Sequence, residues 1–185
     1  MDRVDLVQKM MEKASLVQAV VSQITKFDDA LEYTVNLTRE KGLKTLASPG
    51  LCQADSTRLS SLCQNAGLEY IVSPLRNHLR RIHTGLTHVD WGIAETGSLV
   101  VYSDSEDVRI ATMLCDIHVA CLPASRIYSD SAALAAVLKE RMASGPGYLS
   151  FITGASRTAD IERVLTIGVH GPLELHILIL EDNQP

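Results

Sequence analysis

One stretch of the sequence decides the fold: Tyr148-Leu149-Ser150-Phe151-Ile152-Thr153, followed at once by Gly154-Ala155-Ser156-Arg157-Thr158-Ala159-Asp160-Ile161-Glu162. The first run is short and apolar, which is typical of a buried strand. The second run begins with a glycine and hydroxyl turn and leads into a helical pattern near residues 159–166. A strand that ends in such a turn and opens a helix is typical of parallel α/β proteins, and the turn presents backbone N–H groups to anions.

The same alternation of strand and helix extends back to Leu43. Short apolar runs predict further strands at 43–47, 68–73, 98–102, 118–122 and 174–180. Between them, capped helical patterns predict helices at 55–66, 74–83, 104–113 and 130–142, and residues 87–95 predict a short helix or turn. Short apolar strands flanked by capped helices favour an α/β fold with a mostly parallel sheet that is covered on both faces.

The N-terminal residues follow a different pattern. Apolar residues recur at helical spacing over residues 3–23 and again over 26–41, so the sequence predicts two consecutive helices. We expect a helical hairpin that packs at the edge of the sheet or against a partner protein. Gly42 fits the left-handed position that ends the second helix. A length of 185 residues predicts a single domain over residues 1–185, with the N-terminal helices (1–42) packed on it.

Composition narrows the class of protein. Hydrophobic residues make up 46% of the chain and aromatic residues only 4%, so the core is aliphatic. The net charge is −5 and no run is rich in lysine or arginine, which argues against nucleic-acid binding. Residues 1–24 carry too many charges for a signal peptide, and no apolar run is long enough to cross a membrane, so we expect a cytoplasmic protein.

The cysteines and histidines do not predict a metal site. None of the four cysteines forms a Cys-x-x-Cys pair, so iron–sulfur or zinc ligation within this chain is not expected. His78, His83 and His88 are five residues apart, and that spacing places successive side chains on different faces of a helix.

Two interpretations fit the turn after Thr153. In the first, Ser156 or Thr158 caps a helix whose first turn carries Asp160 and Glu162, where the helix dipole favours carboxylates. In the second, the backbone N–H groups of the turn and the Arg157 guanidinium bind a carboxylate or a phosphate. Helix capping does not account for Arg157, so this arginine is the residue that favours an anion site.

A second candidate stretch is Ile93-Ala94-Glu95-Thr96-Gly97-Ser98. Glu95 lies between apolar residues and a tight glycine turn, and we expect it to be partly buried. Burial would raise the pKa of Glu95 and suit it to acid–base or nucleophilic chemistry. Alternatively, Glu95 accepts backbone N–H bonds and fixes the turn. Thr96 and Ser98 have the same two interpretations.

The third candidate stretch is Gly168-Val169-His170-Gly171-Pro172. His170 could act as a general base or donate a hydrogen bond to a substrate. Alternatively, it is a structural histidine that bonds a turn carbonyl.

Together and in this order, the three stretches resemble the lactate-utilisation (LUD) domain family over residues 25–180. The resemblance implies a three-layer α/β/α fold of the type shared by ribose-5-phosphate isomerase-like, CoA-transferase-like and formyltetrahydrofolate cyclo-ligase-like proteins. It also implies a role in the oxidation of L-lactate to pyruvate together with two partner subunits, one of which carries cysteine-rich iron–sulfur motifs. The lack of paired cysteines here agrees with a subunit without a cluster.

Mapped onto this sequence, the resemblance implies Glu95 and His170 as catalytic residues. It implies a substrate-binding set of Thr96, Gly97, Ser98, Ser156, Arg157, Thr158, Asp160, Glu162 and Gly171. We expect a cleft at the carboxyl ends of the strands, in which Arg157 pairs with the substrate carboxylate. No cofactor is expected in this chain, and iron–sulfur clusters are expected on the partner subunits. Two alternatives remain: a stand-alone enzyme that handles CoA or phosphosugars, and a partner-binding module whose motifs only cap and fix turns.

Overall fold

The computed structural model describes residues 2–143, 145–158, 166–167 and 171–181. Five helices lie in this part of the chain: α1 (Arg3–Leu16), α2 (Phe27–Glu40), α3 (Gln53–Ala66), α4 (Glu106–Met113) and α5 (Ser131–Ala143). The strands in it are β1 (Val20–Ile24), β2 (Thr45–Ala47), β3 (Glu69–Ile71), β4 (Thr84–His88), β5 (Trp91–Ile93), β6 (Ser98–Ser103), β7 (Ile117–Pro123), β8 (Ile127–Tyr128), β9 (Tyr148–Ile152), β10 (Arg157–Thr158), β11 (Thr166–Ile167) and β12 (Glu174–Leu180). None of these helices is long and apolar enough to cross a membrane.

Six strands form a main sheet in the order β1-β12-β7-β4-β2-β3. Every neighbouring pair is parallel, so the predicted α/β fold with a parallel sheet is confirmed. Helices α2 and α3 cover one face, where Leu31, Leu59 and Leu86 are fully buried in a shared aliphatic core. The opposite face packs against α1, with Met10 and Leu122 fully buried.

A second sheet lies on the α1 side of the main sheet. Its order is β8-β5-β6-β9, and β5–β6 and β6–β9 are antiparallel while β5–β8 is parallel. Leu99 and Val101 of β6 face α1 and the main sheet, whereas Val100 and Tyr102 face the Leu134 side of α5. This period-two burial makes β6 a strand that is covered on both faces.

The predicted N-terminal helical hairpin is wrong, because β1 separates α1 from α2. Residues 20–24 form an edge strand that pairs in parallel with β12, from Val20 opposite His176 to Ile24 opposite Leu180. Their valine and isoleucine side chains happen to continue the helical spacing of apolar residues in α1. Such β-branched side chains favour a strand once a partner strand is available. The second predicted helix and its left-handed Gly42 (φ +71°) are confirmed.

Two further sequence predictions need correction. Residues 87–95, expected as a helix or turn, contain the end of β4 and all of β5, and Trp91 and Ile93 are buried. The helix predicted over 74–83 is only a short 3₁₀ segment, Leu75–His78. The helix predicted near 159–166 falls mostly outside the described residues, although Thr166 lies in β11, which pairs antiparallel with β10.

Candidate functional site

The three candidate stretches meet at one place in the structure. The Ser98 Oγ lies 2.8 Å from the Thr96 Oγ1 and 2.6 Å from the Thr153 Oγ1. Three residues further along, the Ser156 N–H donates to the Pro172 carbonyl at 2.9 Å. A set of hydrogen bonds therefore joins the stretch 93–98 to the turn after β9 and that turn to the stretch 168–172.

Antiparallel pairing of β6 and β9 brings the first two stretches together. Leu99 lies opposite Ile152, so Ser98 and Thr153 come next at the end of the ladder. The third stretch packs tightly against the turn after β9, because a Cβ on Gly171 would lie 3.1 Å from the Ser156 Cβ. Ser98 therefore bonds the residue before the turn, and Gly171 packs against Ser156 within it.

A groove of about 300 Å³ opens beside this convergence. Its walls come from the end of α4, from β9 and from the two turns. The groove is lined by the hydroxyl-bearing residues Thr112, Ser150, Thr153 and Ser156, by the apolar residues Met113, Phe151, Ile152, Ala155 and Pro172, and by Gly154 and Gly171. A mixed lining of hydroxyls and apolar side chains suits a small polar molecule.

The groove does not lie at the carboxyl ends of the main sheet, where the cleft was expected. Gly171 and Pro172 directly precede β12, and the Leu173 N–H donates to the Asp116 carbonyl just before β7 at 2.7 Å. The groove is therefore at the amino ends of β7 and β12. The groove does lie at the carboxyl end of β9, which belongs to the second sheet.

Arg157 is held by the end of α1. Its Nη2 donates to the Val17 carbonyl at 2.7 Å and to the Gln18 Oε1 at 2.9 Å. The last carbonyls of a helix lack intrahelical partners and carry partial negative charge, so a guanidinium there is favourable. Arg157 thus caps a helix, but a different helix from the one that sequence reasoning considered.

Two motif glycines also contact α1 and the turn that follows it. Gly97 and Gly154 have φ values of +65° and +72°. A Cβ on Gly97 would lie 2.2 Å from the Ala14 N, and a Cβ on Gly154 would lie 2.3 Å from the Val17 carbonyl oxygen. Both positions therefore require glycine for conformation and for the close approach of backbone to backbone.

Glu95 is exposed, so the expectation of partial burial is wrong. Its backbone N–H donates to the Ser129 carbonyl at 3.0 Å, which fixes the β5–β6 turn through the main chain. Thr96 is also exposed. Three predicted residues, Asp160, Glu162 and His170, lie outside the described residues, and Thr158 lies in β10.

Residues 7–180 match the LUD domain. The chain belongs to the LUD domain family. It is 33% identical to Lactate utilization protein C of Bacillus licheniformis over 101 residues, which are 53% of this chain and only 42% of that protein. It is 27% identical to Lactate utilization protein C of Halalkalibacterium halodurans over 96% of this chain and 80% of that protein. It is also 27% identical to the uncharacterized protein YkgG of Escherichia coli over 91% and 77% of the two chains.

A solved structure shares the fold of this LUD domain. The crystal structure of a DUF162 family protein from Deinococcus radiodurans superimposes with a TM-score of 0.61 and 15% sequence identity. The superposition covers 97% of this chain and 99% of that chain, so both sheets belong to one shared architecture.

Sequence reasoning on this LUD domain missed a polar network at the start of β12. The Tyr33 hydroxyl donates to the His176 Nδ1 at 2.7 Å, and the His176 Nε2–H donates to the Glu174 Oε2 at 3.1 Å. Lys41 completes the network, with its Nζ 2.6 Å from the Glu174 Oε1. Because a carboxylate only accepts, the bond to Glu174 places the imidazole proton on Nε2.

The charges in this network follow from burial and pairing. Burial lowers the pKa of His176 and raises the pKa of Tyr33, and the hydrogen bond from Lys41 lowers the pKa of Glu174. The sequence signal was the Glu-x-His spacing of 174 and 176, which places both side chains on one face of a strand.

A second residue without an assigned role is His118 in β7. Its side chain is fully buried, and its Nε2 lies 2.9 Å from the Thr87 Oγ1. The His118 Nδ1 has no hydrogen-bond partner among the described residues. Burial lowers the pKa of His118 to about 4, so the imidazole is neutral in the folded LUD domain near neutral pH. His118 begins the strand predicted at 118–122, and the structure confirms that strand as part of β7.

Proposed function

We propose that this LUD domain serves lactate utilisation in the cytoplasm, as the subunit without a cluster in a system that oxidises L-lactate to pyruvate. The observation that carries the proposal is the match to the LUD domain over residues 7–180, together with the hydrogen bonds that join the three stretches beside one groove. Relatives that align over most of this chain bear the name Lactate utilization protein C.

In this proposal the redox centres lie on cysteine-rich partner subunits. Oxidation of lactate to pyruvate releases two electrons and two protons, and the electrons pass to the iron–sulfur clusters of the partners. Burial raises the pKa of Cys63 to about 11 and those of Cys115 and Cys121 to about 12. Cluster ligands are thiolates, so these protonated thiols favour a cluster on the partner over one in this chain.

The groove is the proposed site for the carboxylate. The hydroxyls of Thr153 and Ser156 can donate to carboxylate oxygens. Arg157 follows Ser156 in the chain but bonds the end of α1 and does not line the groove, and it remains the proposed partner of the carboxylate. A volume of about 300 Å³ is ample for a three-carbon acid. Glu95 and His170 remain the proposed proton acceptors, and the other predicted binding residues remain part of the proposed site.

Thermal unfolding of the purified chain with L-lactate, pyruvate, glycolate and coenzyme A tests this site. A ligand that binds only the folded state at 100 times its Kd adds about 2.7 kcal/mol to the free energy of unfolding, so we expect lactate or pyruvate to raise the Tm. Ser156→Ala should abolish that rise, whereas Ser61→Ala, which removes an exposed hydroxyl on α3, should retain it. A rise with coenzyme A alone would favour the stand-alone enzyme, and no rise with any compound would contradict the carboxylate site.

A second candidate function is a partner-binding module, and one observation favours it. Arg157, Gly97 and Gly154 all contact α1 or the turn after it, as expected if the motifs serve to hold this helix. In that case Arg157→Ala should lower the Tm, leave any response to lactate unchanged and weaken binding to the cysteine-rich partner. Loss of the lactate response in Arg157→Ala with an unchanged Tm would instead assign the arginine to the ligand.

A further inference from the structure

The second sheet has an open edge at β9. β6 pairs with one side of this strand, and no strand within the described part of the chain pairs with the other side. The Tyr148 side chain is 63% exposed and the Phe151 side chain is 54% exposed. An exposed apolar edge offers unpaired N–H and C=O groups to any strand that approaches it.

Natural proteins protect such edges with charged side chains, proline or bulges. One charged side chain borders this edge at its first residue, where the Arg109 guanidinium lies 5.1 Å from the centroid of the Tyr148 ring. Residues 145–156 contain no charged residue, although charged residues make up 21% of the chain. Pro146 precedes β9 and removes no hydrogen-bond donor from it. The sequence of the strand therefore permits pairing along its whole length.

The surface beside β9 is shaped to receive another strand. A groove of about 380 Å³ lies beside Tyr148, and the groove of about 300 Å³ lies beside Ser150–Ile152. Exposed apolar side chains border the strand and the ends of these grooves: Met113, Leu114 and Leu173. An added strand would find both main-chain partners and apolar contacts.

We infer that β9 pairs antiparallel with β9 of a second copy of this chain, about a two-fold axis at Ser150. This register places Tyr148 opposite Ile152 and Leu149 opposite Phe151, with Ser150 opposite itself. In this register apolar side chains lie opposite apolar side chains, and the Ser150 hydroxyl lies opposite its own copy. Cross-strand pairs of matched character stabilise antiparallel ladders. A two-fold axis requires a surface that is complementary to itself, and this register satisfies that requirement.

Charge and area also favour a second copy. Two chains of net charge −5 repel each other, so they can approach most closely through an uncharged strip such as residues 145–156. Two half-exposed aromatic side chains per copy, with the apolar side chains that border them, would bury on the order of 1,000 Å² over both copies. That area lies at the lower end of specific interfaces and predicts a dimer that dissociates on dilution.

The inference does not depend on the proposed carboxylate site. Pairing covers residues 148–152 and leaves the Thr153–Ser156 end of the groove free. Because Phe151 also lines that groove, pairing is tested by sedimentation and cross-linking and not by the lactate response.

Sedimentation equilibrium over a range of protein concentrations tests the dimer. We expect the natural chain to approach twice the 20.2 kDa mass of one copy, and Phe151→Lys to remain a monomer at every concentration. Val72→Lys is the matched control, because Val72 is 59% exposed and lies beyond β3, at the other end of the main sheet from β12 and β1. A natural chain that stays monomeric, or a Phe151→Lys variant that still dimerises, would overturn the inference.

Cross-linking tests the register and does not require a destabilising change. In a Cys52→Ser background, which removes the exposed cysteine and leaves three buried ones, Ser150→Cys should link to itself through a short bis-maleimide. Ser61→Cys on α3 should not. Equal cross-linking of the two variants would exclude the two-fold axis at Ser150, and so would failure of Ser150→Cys to cross-link while the protein sediments as a dimer.

Discussion

His118 should make the stability of this LUD domain strongly dependent on pH. The side chain is fully buried in β7, and burial lowers its pKa from the ordinary value of 6.5 to about 4. His118→Gln removes the titrating group, and the glutamine amide can replace the Nε2 contact with the Thr87 hydroxyl. The variant therefore separates the effect of protonation from the loss of a hydrogen bond.

The sign and size of the effect follow from proton linkage. Between pH 6.5 and about 4 the unfolded chain binds a proton at His118 that the folded chain does not, so the free energy of unfolding rises with pH. The free energy of unfolding therefore has its full value with respect to His118 above pH 6.5, and it decreases as the pH falls toward 4. At 1.36 kcal/mol for each unit of pKa difference, the loss amounts to about 3 kcal/mol. Desolvation also lowers the pKa of His88 and His176, but these groups are common to both proteins.

Urea unfolding at a series of pH values measures this difference. The free energy of unfolding of the natural chain should fall relative to that of His118→Gln by about 3 kcal/mol between pH 7 and pH 4. Ser61→Ala, which changes an exposed side chain that does not titrate, is the control and should run parallel to the natural chain. Parallel pH profiles for the natural chain and His118→Gln would refute the reasoning that burial suppresses protonation of His118.

Three further substitutions test the packing around the candidate site. Gly97→Ala should destabilise the fold by about 3 kcal/mol or more, because the new Cβ would meet the α1 backbone, whereas Gly42→Ala, with a similar φ but open space, should cost only about 1 kcal/mol. Thermal unfolding compares them, at about 2–4 °C per kcal/mol for a chain of this length. Tyr33→Phe should cost about 1–3 kcal/mol in urea unfolding, because the buried His176 Nδ1 loses its donor; an unchanged midpoint would show that water replaces it. Met10→Ala should cost about 2–5 kcal/mol in the same assay, since this fully buried side chain anchors α1; a loss below 1 kcal/mol would show that α1 is only loosely packed.

The sequence predicted correctly those helices and strands whose ends and burial are determined by their own residues. The helix α3 ends at Ala66, the predicted last residue, and Gly67 after it takes a left-handed conformation (φ +69°). The strands β6, β7 and β12 are runs of aliphatic residues that are buried on both faces, and such runs identify central strands without reference to a partner. For these elements, local propensity and tertiary packing agree.

The errors lie where a distant partner decides the structure. Val20–Ile24 continues the apolar spacing of α1, and nothing in its own sequence shows that β12 will pair with it about 150 residues later. The three residues of β5 are too few to reveal a period, and they become a strand because β6 and β8 flank them. Because β5 was missed, the whole second sheet was missed.

In the candidate site, too, local features were predicted and features that depend on distant residues were not. The three stretches were found from their residue types, and hydrogen bonds link them in the structure. Of these stretches, only the turn after β9 and Gly171–Pro172 line the groove. The position of the groove relative to the main sheet could not be predicted, because it depends on which sheet β5 and β9 join. Arg157 also had no local signal, since its hydrogen-bond acceptor on Val17 lies 140 residues earlier in the chain.

The contacts of the turn after β9 (residues 153–157) make the structural and ligand interpretations compatible. On one side, Gly154 and Arg157 contact the end of α1; on the other, Thr153 and Ser156 border the groove. The same turn therefore positions α1 and presents hydroxyls, and neither role excludes the other. A substitution that loosens α1 should also displace those hydroxyls, because they share a backbone segment. Loss of ligand binding on mutation of Arg157 therefore counts as evidence for direct contact only where the position of α1 is unchanged.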